Sequence, residues 1–233
     1  MPIPILAYHQ VDVVVDCGSP IRSLTVKPAD FLRQMTWLKR AGWGGLSIRD
    51  LLPYLKGDMS GRVFGITFDD GFRNVHTHAL PILETLGFTA TTYLVSRQIG
   101  GFNKWDAAIG VPYSACMSKQ EILEWNSLGH EVGSHTLDHP RLGAIGRAEA
   151  WRQIAESRSD LEDMLGSAVS SFSYPYGDVS TAIRDMVAEA GYSSATTAFR
   201  GRARSRDDIL LLPRRAVHGA DGWVNVLRKS LTG

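Results

Sequence analysis

Two groups of side chains in this 233-residue sequence could carry out metal-assisted chemistry. Asp69 and Asp70 come directly after one apolar run, and His135 and His139 follow another. Two neutral imidazoles and one carboxylate leave a divalent cation with net positive charge and open coordination positions, as a Lewis-acid hydrolase requires. A capped turn would account for either group alone. Because both groups follow predicted strands, their joint occurrence favours a metal site.

The two adjacent carboxylates, Asp69 and Asp70, are expected to differ in role. Consecutive side chains of an extended segment point in opposite directions. A general base has to stay unligated in order to accept a proton from metal-bound water, so one carboxylate should bind the metal and the other should take the proton. A turn at residues 172–177, which contains proline and glycine, could in addition aim backbone N–H groups at an oxyanion.

The elements that must position these side chains alternate short apolar runs with amphipathic segments, which is typical of α/β proteins. Helix signals include Pro28 at a helix start, the capping box of Ser118 and Glu121, and stops at Gly87 and Gly166. Predicted strands lie at 3–8, 63–68, 88–95, 131–134, 168–174, 193–197 and 209–212. Six or seven βα units in a chain of this length predict a barrel, in which chemistry collects where strands end.

Three motifs closely resemble, in order, those of the polysaccharide deacetylase (NodB homology) family. They are TFDDG at 67–71, HTLDHP at 135–140 and YPYG at 174–177. The opening residues 6–9 and the segment 129–134 are also similar, and the resemblance extends from Ile5 to about Pro213. The third motif looks like the branch that includes poly-N-acetylglucosamine deacetylases. The resemblance implies an α/β fold, a distorted (β/α)7 barrel, that hydrolyses N- or O-acetyl groups of glycans.

The resemblance also implies roles for individual residues. Asp69 would be the general base, while Asp70, His135 and His139 would bind the metal, with Zn²⁺ expected and Co²⁺ or Ni²⁺ as alternatives. The backbone N–H of Tyr176 would face the oxyanion, which agrees with the turn chemistry.

The sequence departs from the family pattern where many members carry an arginine that pairs with the base, because Ser173 stands at about that place. Arg214 and Arg215 are the candidates to orient Asp69. They follow Pro213 at the predicted mouth end of strand 209–212, and only one of two consecutive residues can face the site. We expect Arg215 to be that residue.

Three further residues are candidates on position or resemblance. His218 is the only counterpart of the family's late histidine, the proposed general acid, although its surroundings match that motif poorly. His9, at the end of the first predicted strand, could reach the site in a supporting or substrate-binding role. Trp105 lies in a long loop after a strand, where an indole could stack on a sugar ring.

Composition excludes several classes of partner. Lys and Arg number 25 against 24 Asp and Glu, a net charge of +1, so no charge excess points to nucleic acid or an anionic membrane. Cys17 and Cys116 lie far apart and fit neither a disulfide framework nor a thiolate zinc site. No apolar run is long enough to span a membrane and no secretory leader is recognised, so the chain as given is expected to be cytoplasmic, or exported if a leader was removed.

The sequence therefore predicts one domain over residues 1–233 that acts as a metal-dependent deacetylase of an N-acetylated saccharide. Two alternatives stay open. One is a small-molecule amidase on the same barrel, acting on a non-peptide C–N bond, and the other is a catalytically inactive carbohydrate-binding module. Non-haem iron oxygenases also use two histidines and one carboxylate, but the additional unligated Asp favours hydrolysis. The sequence does not predict an oligomeric state.

Overall fold

The structure is a computed structural model that describes residues 2–13 and 23–231. Ten strands occur in these residues: β1 (Ile5–Tyr8), β2 (Gln10–Val11), β3 (Thr25–Val26), β4 (Gly44–Leu46), β5 (Val63–Phe68), β6 (Thr91–Leu94), β7 (Glu131–Ser134), β8 (Ser171–Ser173), β9 (Ser194–Arg200) and β10 (Leu212–Ala216). Seven α-helices accompany them: α1 (Pro28–Arg40), α2 (Ile48–Lys56), α3 (Leu80–Leu86), α4 (Lys119–Ser127), α5 (Arg147–Leu165), α6 (Thr181–Glu189) and α7 (Trp223–Leu231).

Seven parallel strands close into a barrel, which confirms the predicted (β/α)7 fold. The ring runs β1–β5–β6–β7–β8–β9–β10 and closes because β1 pairs in parallel with both β5 and β10. Strand β4 pairs with the first half of β5, and β2 pairs only with β3, outside the ring. Since all seven strands run the same way, their carboxyl ends meet at one face of the barrel.

The helices begin and end where local chemistry allows. Helix α1 starts at Pro28 and buries one face, including Phe31, Met35 and Leu38. The capping box of Ser118 forms at the start of α4 as predicted. Helix α5 ends at Gly166, whose φ of 67° lies in the left-handed region that glycine adopts without strain.

The last strand of the barrel differs from the prediction. Strand 209–212 was expected to end before Pro213, whereas β10 extends from Leu212 to Ala216 and contains the proline and both arginines. Proline cannot donate a ladder hydrogen bond, and the pairing of β10 with β9 changes register between Leu212 and Arg214. The irregularity accommodates Pro213 inside the strand, so the two arginines lie within the barrel wall.

Two composition-based expectations concern other parts of the chain. Cys17 lies outside the described residues, and Cys116 is a buried free thiol. Within 2–13 and 23–231, none of the helices has both the length and the apolar content needed to cross a bilayer.

Candidate active site

Asp70, His135 and His139 form a buried cluster at the carboxyl ends of β5 and β7. Their potential ligand atoms all lie within 4.8 Å of one another. One Asp70 carboxylate oxygen (Oδ1) is 3.6 Å from His135 Nε2 and 3.4 Å from His139 Nε2, and the two Nε2 atoms are 3.2 Å apart. Ligands about 2.1 Å from a tetrahedral centre lie roughly 3.4 Å from each other. The cluster therefore has the dimensions of three ligands around one divalent ion.

The protonation of the two imidazoles suits metal binding. His135 Nδ1 donates a hydrogen bond to the Ser173 carbonyl oxygen at 2.7 Å, which leaves the lone pair on Nε2 facing the cluster. Burial lowers the pKa of His135 to about 4, and burial, followed by the neighbouring His135, lowers that of His139 well below its usual value. Both rings are therefore neutral near pH 7, the form that coordinates metals.

An unusual backbone shapes this site. Among described residues other than glycine, a left-handed φ occurs only at Asp70 (74°), Thr136 (69°), His139 (61°) and Tyr176 (58°). All four belong to the three motifs that predicted the site, and such conformations persist only where surrounding structure enforces them. At Asp70 the effect is direct: the chain leaves β5 without continuing extended, and both Asp69 and Asp70 line the same cavity. The alternation of side chains along an extended segment therefore does not apply to this pair, because Asp70 is not extended.

Asp69 is held by Arg214 rather than by the predicted Arg215. The Arg214 guanidinium donates to both Asp69 carboxylate oxygens at 2.7 Å, and the two side chains are almost fully buried. Arg214 also donates to the Thr197 carbonyl and to the hydroxyls of Thr67 and Ser173. Only one of the two consecutive arginines faces the site, as the alternation of side chains along a strand predicts. It is Arg214 and not Arg215, because β10 begins later than predicted. Arg215 pairs in register with Leu6 of β1 and is not among the cavity-lining residues.

Arg214 determines the charge state of Asp69. Burial alone would raise the pKa of this carboxyl, but the charge and hydrogen bonds of Arg214 outweigh it, with smaller contributions from His135 and His9. The pKa of Asp69 is therefore held far below its usual value. Asp70 has no such partner, and burial, followed by repulsion from Asp69, raises its pKa.

A cavity of about 320 Å³ opens above these groups. It is lined by both carboxylates, by His135, His139 and Arg214, and also by three other residues singled out in the sequence: His9, Trp105 and Tyr176. The His139 ring contacts two aromatic rings of this cavity: the ring centres of Trp105 and Tyr176 lie 4.9 Å and 4.6 Å from its own. His218 differs from these residues. It is exposed after β10 and is not among the cavity-lining residues.

Sequence reasoning assigned no role to several residues that build the cavity. Asp106 lines it, and Arg141 stacks on Tyr176 with its guanidinium carbon 4.2 Å from the ring centre. Thr67 and Thr197 hold Arg214 from β5 and β9. Thr67 lies inside a recognised motif. Asp106, Arg141 and Thr197 lie outside the three motifs, so their local spacing gave no signal.

The polysaccharide deacetylase family model matches residues 56–195, more than half of the chain. This chain belongs to the polysaccharide deacetylase family. Membership confirms the resemblance stated from the motifs and places the protein among hydrolases that deacetylate carbohydrates. The matched segment contains Asp69, Asp70, His135, His139 and Tyr176 but ends before β10, which carries Arg214.

Known polysaccharide deacetylases resemble most of the chain. The protein named "Putative polysaccharide deacetylase YxkH" from Bacillus subtilis is 27% identical over 207 residues, 88% of this chain and 67% of that protein. A poly-β-1,6-N-acetyl-D-glucosamine N-deacetylase from Staphylococcus epidermidis is 25% identical over 67% of this chain, which spans just over half (55%) of that enzyme. The structure of Streptococcus pyogenes deacetylase PplD, with acetate, superposes with a TM-score of 0.84 over 99% of this chain and 98% of that one, at 23% identity, and supports the fold.

Proposed function

We propose that this protein hydrolyses N-acetyl groups of amino-sugar units in a glycan. The observation that carries the proposal is a cation-sized Asp-His-His cluster that shares one cavity with a carboxylate fixed by a buried arginine. A divalent metal, Zn²⁺ first with Co²⁺ and Ni²⁺ as alternatives, would be held by Asp70, His135 and His139 and would supply Lewis-acid activation of water and of the amide carbonyl.

Asp69 is the group suited to take a proton from the attacking water. Arg214 uses one lone pair on each carboxylate oxygen, and the Ser173 hydroxyl makes a long contact with Oδ1 at 3.5 Å, so the second lone pair of Oδ2 stays available. Because its pKa is lowered, Asp69 stays ionised throughout the working pH range, and the two hydrogen bonds fix its orientation. The backbone N–H of Tyr176, in its left-handed turn, is the proposed donor to the developing oxyanion.

His9, rather than His218, is the histidine proposed to contact the departing nitrogen. His9 lines the cavity, and its buried Nδ1 atom has no hydrogen-bond partner among the described residues. Burial lowers its pKa, so it is a neutral imidazole with one N–H to donate. Trp105 would offer its ring to the sugar beside the His139 cluster.

The cavity size favours an amino-sugar unit over a larger group. Its volume is at the lower end of the roughly 300–1,000 Å³ typical of ligand pockets, so it would accept about one sugar unit at a time. The first substrate to test is a β-1,6-linked N-acetylglucosamine polymer, because the staphylococcal relative is named as a deacetylase of that polymer.

Acetate release from metal-loaded protein tests this function. The panel should hold β-1,6- and β-1,4-linked N-acetylglucosamine oligomers, O-acetylated saccharides and small cyclic amides. We expect release from an N-acetylated oligomer. Asp69→Asn should lose roughly a hundred- to ten-thousandfold in turnover while keeping its metal, and His135→Ala should lose the metal. Turnover of cyclic amides alone would establish the amidase alternative, and oligomer binding without acetate release would establish the inactive binding module.

The assignment of His9 has its own matched test. His9→Ala should lower turnover at least tenfold with unchanged metal content, whereas His218→Ala should stay close to wild type. The reverse order of effects would return the proton-donating role to His218.

A further inference from the structure

The charged groups that line the catalytic cavity are unequally compensated. Asp69 is neutralised by Arg214, and Asp70 faces the two imidazoles. Asp106 is the third carboxylate in the lining, and no lysine, arginine or histidine of the described residues forms an ion pair with it. Arg141 stacks on the Tyr176 ring of this cavity and is not an ion-pair partner of Asp106. Because the two imidazoles are neutral, the charge of Asp70 would be balanced by the proposed metal, and Asp106 is the lining carboxylate that neither Arg214 nor that metal balances.

The position of Asp106 is fixed by its loop. The amide nitrogen of Asn103, a buried residue, donates to Asp106 at 3.3 Å and to the Pro112 carbonyl at 3.2 Å, while the Asn103 amide oxygen accepts from the Ser114 N–H at 2.7 Å. The backbone N–H of Asp106 also donates to the Asn103 carbonyl. An isolated β-bridge pairs Phe102 with Ala115 across the base of the loop. A carboxylate held by neutral donors on a closed loop is preorganised for a ligand.

The field of Asp106 extends to the reacting region. After burial and Asp69, it is the next cause that raises the pKa of Asp70, and after burial it is the largest cause that raises the pKa of the Tyr176 hydroxyl. Asp106 itself is only half-buried, so it lines the cavity on a side that solvent reaches. Trp105, directly before it, is the ring that packs on His139.

We propose that Asp106 forms a subsite for a protonated amino group, carried by a sugar unit next to the one being deacetylated. The inference rests on the proposed function for its substrate class: deacetylation is the reaction that creates such amines on a glycan. The protein would then favour partly deacetylated chains over fully acetylated ones. A half-exposed ion pair of this kind should give a preference of about threefold to tenfold, reduced by salt.

The test combines a binding measurement with a kinetic one. Binding of a fully deacetylated glucosamine tetrasaccharide, which is not a substrate, is titrated at low and high salt below the pKa of its amines, using metal-loaded wild type and Asp106→Asn. Asparagine keeps the shape and can still accept from Asn103. The matched control is Asp163→Asn, an exposed carboxylate on α5 outside the cavity lining. In parallel, kcat/KM is compared for a tetrasaccharide with one free amine and for the fully acetylated one.

We expect wild type and Asp163→Asn to bind the glucosamine oligomer with salt dependence and to prefer the amine-bearing substrate. Asp106→Asn should bind the oligomer three- to tenfold more weakly and lose that preference ratio. Equal losses on both substrates would overturn the proposal in favour of hydroxyl recognition, and a loss of metal in Asp106→Asn would overturn it in favour of charge balance at the metal centre. Amine binding through Asp106 without acetate release from any sugar would refute the proposed function and leave the subsite standing.

Discussion

Asp69 and Arg214 illustrate what a buried ion pair does in a cleft. Both groups are about 95% buried, and each would be strongly unfavourable there alone. Their two parallel hydrogen bonds, together with the bonds to Thr67, Ser173 and Thr197, satisfy all five N–H donors of the guanidinium. Such a pair does little for net stability compared with apolar packing, so its value lies in fixing the orientation and charge of the base.

Arg214→Ala is accordingly expected to lower turnover tenfold or more while the metal content is unchanged. It should also lower the free energy of unfolding by about 3–5 kcal/mol, because an unpaired buried carboxylate remains. Arg214→Lys keeps the charge but cannot make both hydrogen bonds, and it should recover stability more than turnover. Steady-state kinetics, metal analysis and thermal unfolding measure these effects. Arg215→Ala is the neighbouring control, and a comparable loss of turnover in it would contradict the assignment from the contacts.

At the residue scale, the sequence predicted the cluster of Asp70, His135 and His139 because each residue lies in a short motif directly after a strand. Arg214 was one of two candidates, and the choice depended on strand register, which a one-residue shift reverses. Asp106 was not predicted as a site residue. Its loop approaches the cavity through long-range contacts, and no local pattern encodes those.

At the element scale, close packing between neighbouring strands supports the site. Gly133 of β7 pairs with Tyr93 of β6, whose ring lies under the Arg214 guanidinium at 5.8 Å and whose hydroxyl contacts the Ser171 hydroxyl at 2.8 Å. A Cβ atom at Gly133 would lie 2.5 Å from the Tyr93 ring and 2.9 Å from the Ser171 carbonyl oxygen. The missing side chain therefore makes the space that Tyr93 occupies beneath Arg214.

Gly133→Ala should thus destabilise the protein by about 1–3 kcal/mol through overpacking and should also lower turnover as Tyr93 moves against Arg214. Denaturant unfolding and kinetics give the two readouts. Gly44→Ala is the matched control, because the same change in strand β4 meets only ordinary contacts at 3.7 Å and 3.9 Å. If both variants unfold at the same denaturant concentration, the close approach of Gly133 to Tyr93 does not contribute to the stability of the barrel.

The elements that the sequence predicted correctly are those with distinctive local patterns. Strand β5 and strand β7 have the predicted bounds, since buried apolar runs with turn residues after them are distinctive. Strand β10 was misplaced because a proline ordinarily marks a strand end, and here a register shift accommodates it. Helix α2 was not predicted at all, and its internal Pro53 obscures the helical pattern.

At the scale of the whole molecule, the barrel closes around ionisable groups, so its stability has to depend on pH. His135, His139 and His9 are buried with lowered pKa values, whereas a histidine in the unfolded chain titrates near 6.5. Between these values the unfolded state binds protons that the folded state does not. The stability that these three histidines contribute to the metal-free protein is therefore fully present above about pH 6.5 and falls as the pH is lowered toward their folded pKa values. The buried Asp70 carboxyl, whose pKa is raised, changes stability in the opposite direction.

For His135, with a folded pKa of about 4, the loss between pH 6.5 and 4 amounts to roughly 3 kcal/mol at most. Asp69 contributes little in this window, because its stabilisation begins to be lost at about pH 5 and is lost mainly below the pKa of an unfolded carboxyl, near 3.9. Thermal unfolding of chelator-treated protein is measured between pH 7 and 4.5, and the midpoint of wild type should fall relative to that of His135→Gln as the pH is lowered. The exposed His218→Gln should keep the wild-type slope. If wild type and His135→Gln changed in parallel across this window, the His135 imidazole would take up a proton in the folded state as readily as in the unfolded one.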